Sequence, residues 1–262
     1  MPDFNVQAIV LRRSLYAETD NILTLYSRER GRISAIAKGA RKAISRLSGA
    51  SEVLNHSKFA LASAKTLQVV RQAEIVSSFA PLREDLIRLA NGMYIADLLS
   101  AFVVDGDPNP PLFDLLEAGL HLLATVAAPM LAARWFELRL LDELGYAPVL
   151  DECVYCGDPI AAATNFDLAL SASQGGMLCI RHAHPDRFDD QTRVGRQSLR
   201  LLRSLYAART LPELYESRIL EQNTTGGSEI STLLRGYIRY RMDQDLKSLK
   251  FLDAVTRPDY EP

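Results

Sequence analysis

The sequence predicts an α+β protein: a five-stranded N-terminal barrel of the OB type, then an all-helical domain with a small cysteine-bearing insertion. Three observations predict it. Residues 1–76 read as short strands, helical spacing begins at Pro81, and all three cysteines fall within residues 149–187. The expected domains are 1–80 for the barrel and 81–262 for the helices, interrupted at 149–187.

The strand runs are Asn5–Leu11, Asn21–Ser27, Arg32–Lys38, Val53–Leu61 and Leu67–Val76, rich in Val, Ile, Thr, Tyr and Phe. Gly31, Gly39 and the polar turns Ala17–Asp20 and Ser63–Lys65 punctuate them. Five short strands in so little chain suit a small barrel. A Greek-key barrel of the OB type is the natural candidate, because its face binds single strands; an SH3-like or other small barrel meets the same pattern.

From Pro81, placed to start a helix, Leu82, Leu86, Leu89, Met93 and Ala96 fall at helical spacing. Asp105–Pro111 is a loop by composition, and Phe113–Ala127 is a second apolar helix. A third opens at Pro129, runs through Trp135, Leu138 and Leu141, and stops at Gly145 with Pro148 just beyond. Trp135 and Phe136 read as core. Helical spacing resumes at Arg196–Ala208 and at Ile230–Leu246.

Of the 262 residues, 48% are hydrophobic and 24% charged, which fits a globular protein with an ample core. No apolar run approaches the roughly 20 residues that span a bilayer. The N-terminal text has no basic region followed by an apolar stretch, so a secretory signal is not expected. Three cysteines make a poor disulfide framework, and a reducing cytoplasm is the expected compartment.

A net charge of −2 hides a segregation. Residues 1–80 hold 12 basic and 6 acidic residues, hence +6, and residues 81–262 hold 18 and 26, hence −8. Seven cations and one acid (Glu29) lie within residues 28–46, around strand-like text. Most charge runs are solvated faces. Here the interspersed acids are missing and the flanks are strands, which favours a nucleic-acid backbone. Lys38, Arg41, Lys42 and Arg46 are the candidate phosphate contacts, and Gly39 would let the backbone approach a phosphate. Phe4, Tyr16, Tyr26 and Phe59 are the aromatics available for base stacking, unless they belong to the core.

Cys153 and Cys156 are followed by Cys179 and His182 in a C-x2-C-x22-C-x2-H pattern. Thiolates spaced i, i+3 reach one ion, Gly157 permits the tight turn, and Gly175–Gly176 leads into the second knuckle. Three thiolates and an imidazole make a closed structural Zn2+ site, with no open position for water. His184 is a rival fourth ligand, and the alternative to a metal is three free cysteines. A catalytic zinc would need a base such as Glu152 or Asp186, and its H-x-E, HExxH and P-C-x-x-C patterns are absent.

Other enzyme signatures are absent too: no phosphate-binding loop, no G-x-G-x-x-G after a strand and no G-x-S-x-G elbow. Asp189–Asp190 is an isolated acid pair, and His56, His121, His182 and His184 form no triad pattern. A binding protein, not an enzyme, is expected. An RNA- or ribosome-associated OB-fold protein is the second reading from the residues alone.

The text Tyr16–Asp20, Ile22–Ser27, Glu29–Gly31, Ala37–Lys42 and Ser45–Leu47, with the two cysteine knuckles and Ser248–Leu252, resembles the RecO family of bacterial DNA repair and recombination mediators. The resemblance covers essentially the whole chain. It implies an N-terminal OB fold, a helical domain and, in many members, a zinc-binding insertion. It also implies binding of single- and double-stranded DNA, annealing of complementary strands, association with RecR, contact with the single-stranded-DNA-binding protein, and help in loading RecA, in the cytoplasm at the nucleoid. Cys153, Cys156 and Cys179 fall on the family's zinc cysteines, and His182 stands where many members have a fourth. Lys38, Arg41, Lys42 and Arg46 fall in the basic element associated with DNA.

Overall fold

Five strands, Asp3–Tyr16 (β1), Asp20–Ser27 (β2), Gly31–Ala37 (β3), His56–Ala62 (β4) and Gln68–Ser77 (β5), close into a barrel in the order β1-β2-β3-β5-β4. Neighbours are antiparallel except β3 and β5, which run parallel. With the short helix Leu47–Ala50 (α1) between β3 and β4, this is the OB-type Greek key. The computed structural model describes residues 3–42, 44–64, 66–160, 168–184, 190–222, 227–242 and 245–256. Lys65, Asp186 and Asp189, named in the sequence reading, lie outside the described residues.

The barrel is filled by inward residues of alternating strands, among them Val6, Ala8, Val10, Leu23, Leu25, Phe59, Leu61 and Val70. β1 runs five residues past the expected end at Leu11. Its register shifts between Val10 and Arg12, and Arg12 and Arg13 are both exposed. Such a bulge breaks the two-residue alternation by which a strand is read.

The remaining elements are α2 (Leu86–Phe102), α3 (Pro110–Thr125), α4 (Pro129–Glu143), β6 (Ala169–Ser171), β7 (Gly176–Leu178), β8 (Gln191–Arg193), α5 (Arg196–Ala207), α6 (Leu211–Glu216), α7 (Ile219–Gln222), α8 (Gly227–Arg239) and α9 (Lys247–Val255). Pro81 does not start α2. It sits in a single 3-10 turn, Ala80–Arg83, after Phe79 in the left-handed region at φ 44°. The helix begins where Asp85 accepts the Arg88 N–H at 2.9 Å, so the side-chain cap sets the start. The expected helix over Ile230–Leu246 is also corrected: α8 ends at Arg239, and the following turn is tightened by Arg241 and Met242 N–H groups bonding three residues back.

Packing divides the chain into two units, Met1–Thr125 with Leu246–Pro262, and Val126–Asp245. In the first, the barrel is joined by α2, α3 and the returning α9. The Arg28 guanidinium pairs with Asp114, and Arg32 pairs with Asp105 while donating to the Ser100 carbonyl at 2.6 Å. Gly31 makes this approach feasible. It holds φ +62°, and a Cβ there would collide with the Asp107 backbone.

In the second unit, every residue of α4 from Leu131 to Leu141 is buried. Trp135 and Phe136 are core, and the indole N–H donates to the Ala208 carbonyl at 2.7 Å. Arg134 and Glu137 form a 2.8 Å ion pair with no solvent exposure, and Arg134 also donates to the Ser231 hydroxyl on α8. β7, β6 and β8 form a small antiparallel sheet behind the cysteine region. Among the described residues, no helix is long and apolar enough to cross a membrane.

Candidate metal centre and cationic barrel surface

Two chain reversals bring the cysteines together. In the first, the Gly157 N–H donates to the Cys153 carbonyl at 2.8 Å, with Gly157 at φ +73°. In the second, His182 and Ala183 both donate to the Cys179 carbonyl, at 2.8 and 2.9 Å. The two are tied by Val154 N–H to the Met177 carbonyl at 3.0 Å and by Met177 N–H to the Val149 carbonyl at 2.8 Å. Gly176 is needed for that tie, because a Cβ there would lie 2.5 Å from the Val149 oxygen.

The sulfurs of Cys153, Cys156 and Cys179 and an imidazole nitrogen of His182 all lie within 4.8 Å of one another. His182 Nδ1 is 3.2 Å from the Cys179 sulfur and 3.6 Å from that of Cys153, and the Cys156 and Cys179 sulfurs are 3.9 Å apart. Donors at tetrahedral corners around an ion at about 2.0–2.3 Å stand about 3.3–3.8 Å from one another. The set therefore fits a metal ion, and Nδ1 is the inward nitrogen. His184 is not part of it; that residue is exposed, and its carbonyl accepts from the Gln191 amide.

Burial works against the Cys153 thiolate, yet backbone N–H groups of Cys179, Tyr155 and Cys156 outweigh it and bring its pKa down to about 6. Burial raises that of Cys179. The Tyr155 ring lies 4.5 Å from the His182 ring and limits its rotation. The Arg181 guanidinium pairs with Asp158 and approaches the Cys156 sulfur at 3.8 Å. Tyr155, Arg181 and Asp158 escaped the sequence reading, although each lies between or beside the cysteines, where residues that hold a ligand set would stand.

The cationic run divides in two. Arg28 and Arg32 are occupied by Asp114 and Asp105, and the Arg30 guanidinium lies 4.0 Å over the Phe4 ring. Lys38, Arg41, Lys42 and Arg46 are exposed, and among the described residues none pairs with a carboxylate. They stand on the loop that leaves β3, which is fastened to the β1–β2 turn. The Arg41 N–H donates to the Thr19 carbonyl and its guanidinium to that of Glu18, both at 2.9 Å. The Asp20 carboxylate accepts the Gly39 N–H at 2.8 Å. Gly39 thus serves by its φ of +67°, and its amide is taken by Asp20 instead of facing a phosphate.

Of the four aromatics considered for stacking, Tyr26 and Phe59 are in the core and Phe4 is covered by Arg30. Burial, with Asp107 nearby, pushes the Tyr26 hydroxyl pKa up to about 12. Tyr16 is exposed, at the tip of the same turn that holds the basic loop.

Two family models match, Recombination protein O N terminal over residues 1–79 and Recombination protein O C terminal over residues 83–250. The chain is 39% identical over 250 residues to the DNA repair protein RecO of Pelotomaculum thermopropionicum, covering 95% of this chain and 93% of that one. It is 38% identical over 260 residues to that of Heliobacterium modesticaldum (97% and 90%) and 37% over 256 to that of Desulforamulus reducens (97% and 96%). With an OB-type barrel, a paired cysteine–histidine cluster and these matches end to end, the chain belongs to the RecO family of DNA repair proteins.

Proposed function

We propose that this protein binds single- and double-stranded DNA through Lys38, Arg41, Lys42 and Arg46, anneals complementary strands, and with RecR helps RecA load on strands coated by the single-stranded-DNA-binding protein. The observation that carries the reading is a loop of four exposed cations without carboxylate partners among the described residues, in a family of DNA repair proteins. Each phosphate that such a cation neutralises releases condensed counterions, which drives association. Two complementary strands repel each other. Cations on one rigid surface screen that repulsion, and base pairing then supplies the driving force, so no catalytic group and no nucleotide hydrolysis are required. On this reading residues 1–80 meet DNA, the helices of 81–262 meet protein partners, and the protein works in the cytoplasm at the nucleoid.

An ion held by Cys153, Cys156, Cys179 and His182 would be structural Zn2+ and would stabilise the 149–187 segment. Its chemistry would be cross-linking: it would tie two short reversals that bury little apolar surface of their own.

The test of DNA binding is the affinity of the K38A/R41A/K42A variant across a salt series. The wild-type log–log slope is expected to be steep and the variant's shallower, and equal slopes would remove the loop from the interface. Preference for RNA in direct competition would favour an RNA-associated role instead. For the metal, zinc content should fall in Cys153→Ser and His182→Ala and hold in His184→Ala. Zinc-free wild-type protein would defeat the ligand assignment.

A further inference from the structure

The outer face of β1, β4 and β5 carries a groove of about 800 Å3. It is lined by three exposed cations, Arg46, Lys58 and Arg71. Arg46 is also the last cation of the basic loop, so loop and groove share a residue. Lys58 points outward on β4, opposite Gln7 of β1 and Glu74 of β5. Arg71 owes its direction to a bulge. Pairing steps from Ala60↔Gln72 to Leu61↔Val70, so Arg71 has no cross-strand partner, and it and Gln72 are exposed together.

The groove's lining suits a polynucleotide. Its floor at Ala60 is small, and the amide side chains of Asn5 and Gln72 flank that floor from the two neighbouring strands. Such amides hydrogen-bond base edges, while the cations meet phosphates. Two carboxylates also line it. That of Glu29 is engaged by the Gln7 N–H and the Ser27 hydroxyl, both at 3.1 Å. Glu74 forms no ion pair with a groove cation among the described residues. Leu47 is the one large apolar lining side chain that is neither buried nor part of the barrel wall, which leaves little for a peptide to anchor on.

We propose that this groove is a second contact for a single DNA strand, continuing from the Lys38–Arg46 loop across β4 and β5. The proposal rests on the reading that the loop binds DNA. It gives the barrel a contact beyond the β2–β3 face through which OB folds usually bind.

The experiment measures binding of a long oligodeoxythymidylate to the full chain across a salt series, for wild type, K38A/R41A/K42A, K58A/R71A, K58R/R71K and Glu74→Gln. Each lost contact lowers a single-strand slope by about 0.7, so K58A/R71A should lose about 1.4. K58R/R71K should keep the wild-type slope, and Glu74→Gln should bind more tightly. If only the loop variant loses slope, the groove proposal falls and the loop reading stands. If only K58A/R71A loses it, the loop reading falls, and the groove with it as a continuation. If neither does, both fall. Should K58A/R71A melt below wild type, Glu74→Gln decides, because an unchanged affinity there excludes a phosphate path. Binding of polyglutamate that K58A/R71A abolishes, with DNA affinity intact, would make the groove a peptide site and overturn the proposal.

Discussion

The Asp97 carboxylate on α2 accepts two hydrogen bonds from Ser248 on α9, from its N–H at 3.1 Å and its hydroxyl at 2.8 Å. Leu246 at the start of α9 has no capping side chain, so an acid from another helix satisfies one of the orphan N–H groups. Asp97→Ala should cost about 1–3 kcal/mol. Hydrogen exchange would report it: residues 247–255 should lose protection more than the barrel strands. Ser248→Ala keeps the N–H bond and should cost less.

Gly31 is fixed by two independent constraints, its left-handed backbone and the Asp107 backbone beside it. Conformation alone costs an L-residue about 1–2 kcal/mol there. Gly31→Ala should exceed that, because the neighbour is backbone and cannot rotate away. Thermal melting would check this, with Gly106→Ala, at a left-handed site with open space, as the milder comparison.

The buried Arg134–Glu137 pair makes an asymmetric prediction. Glu137→Ala leaves a buried guanidinium without its carboxylate and should cost about 3–5 kcal/mol, whereas replacing both partners by Met and Leu should cost less than the single change. Urea denaturation of the three variants would separate these outcomes.

Asp190 gives the small sheet an acid-sensitive fastening. Burial raises its pKa, but the Ser173 N–H and hydroxyl and the Ser171 hydroxyl outweigh that and hold it below the usual carboxylate value. A depressed folded pKa stabilises fully above the unfolded value of about 3.9, and the contribution fades as pH falls through the folded one. The stability gap between wild type and Asp190→Asn should therefore be constant near neutrality and shrink below about pH 4. Acid titration of both proteins, followed by circular dichroism, would measure it.

Much of this was legible in the sequence because it is local. Strand alternation placed four of the five barrel strands within a few residues, and β1 overran only where its bulge hides the period. The knuckles were legible because two thiolates three positions apart carry their own geometry. What the text could not display is pairing at long range. Arg28 and Arg32 look like Lys38 and Arg41 in the run, but their partners Asp114 and Asp105 lie 86 and 73 residues downstream. The burial of Arg134 and Glu137 was hidden likewise, since charged residues on a helix ordinarily mark its wet side. Lys58 and Arg71 are single cations in separate strands, and only the pairing of β4 with β5, with its bulge at Arg71, sets both on one groove.

The return of the chain to its first unit has a consequence for biosynthesis. A ribosome releases the barrel, α2 and α3 long before the residues after 245, yet α9 packs on α2. Until the residues after 245 emerge, the nascent body keeps an apolar α2 surface uncovered, so chaperone occupancy should concentrate there and subside as α9 emerges.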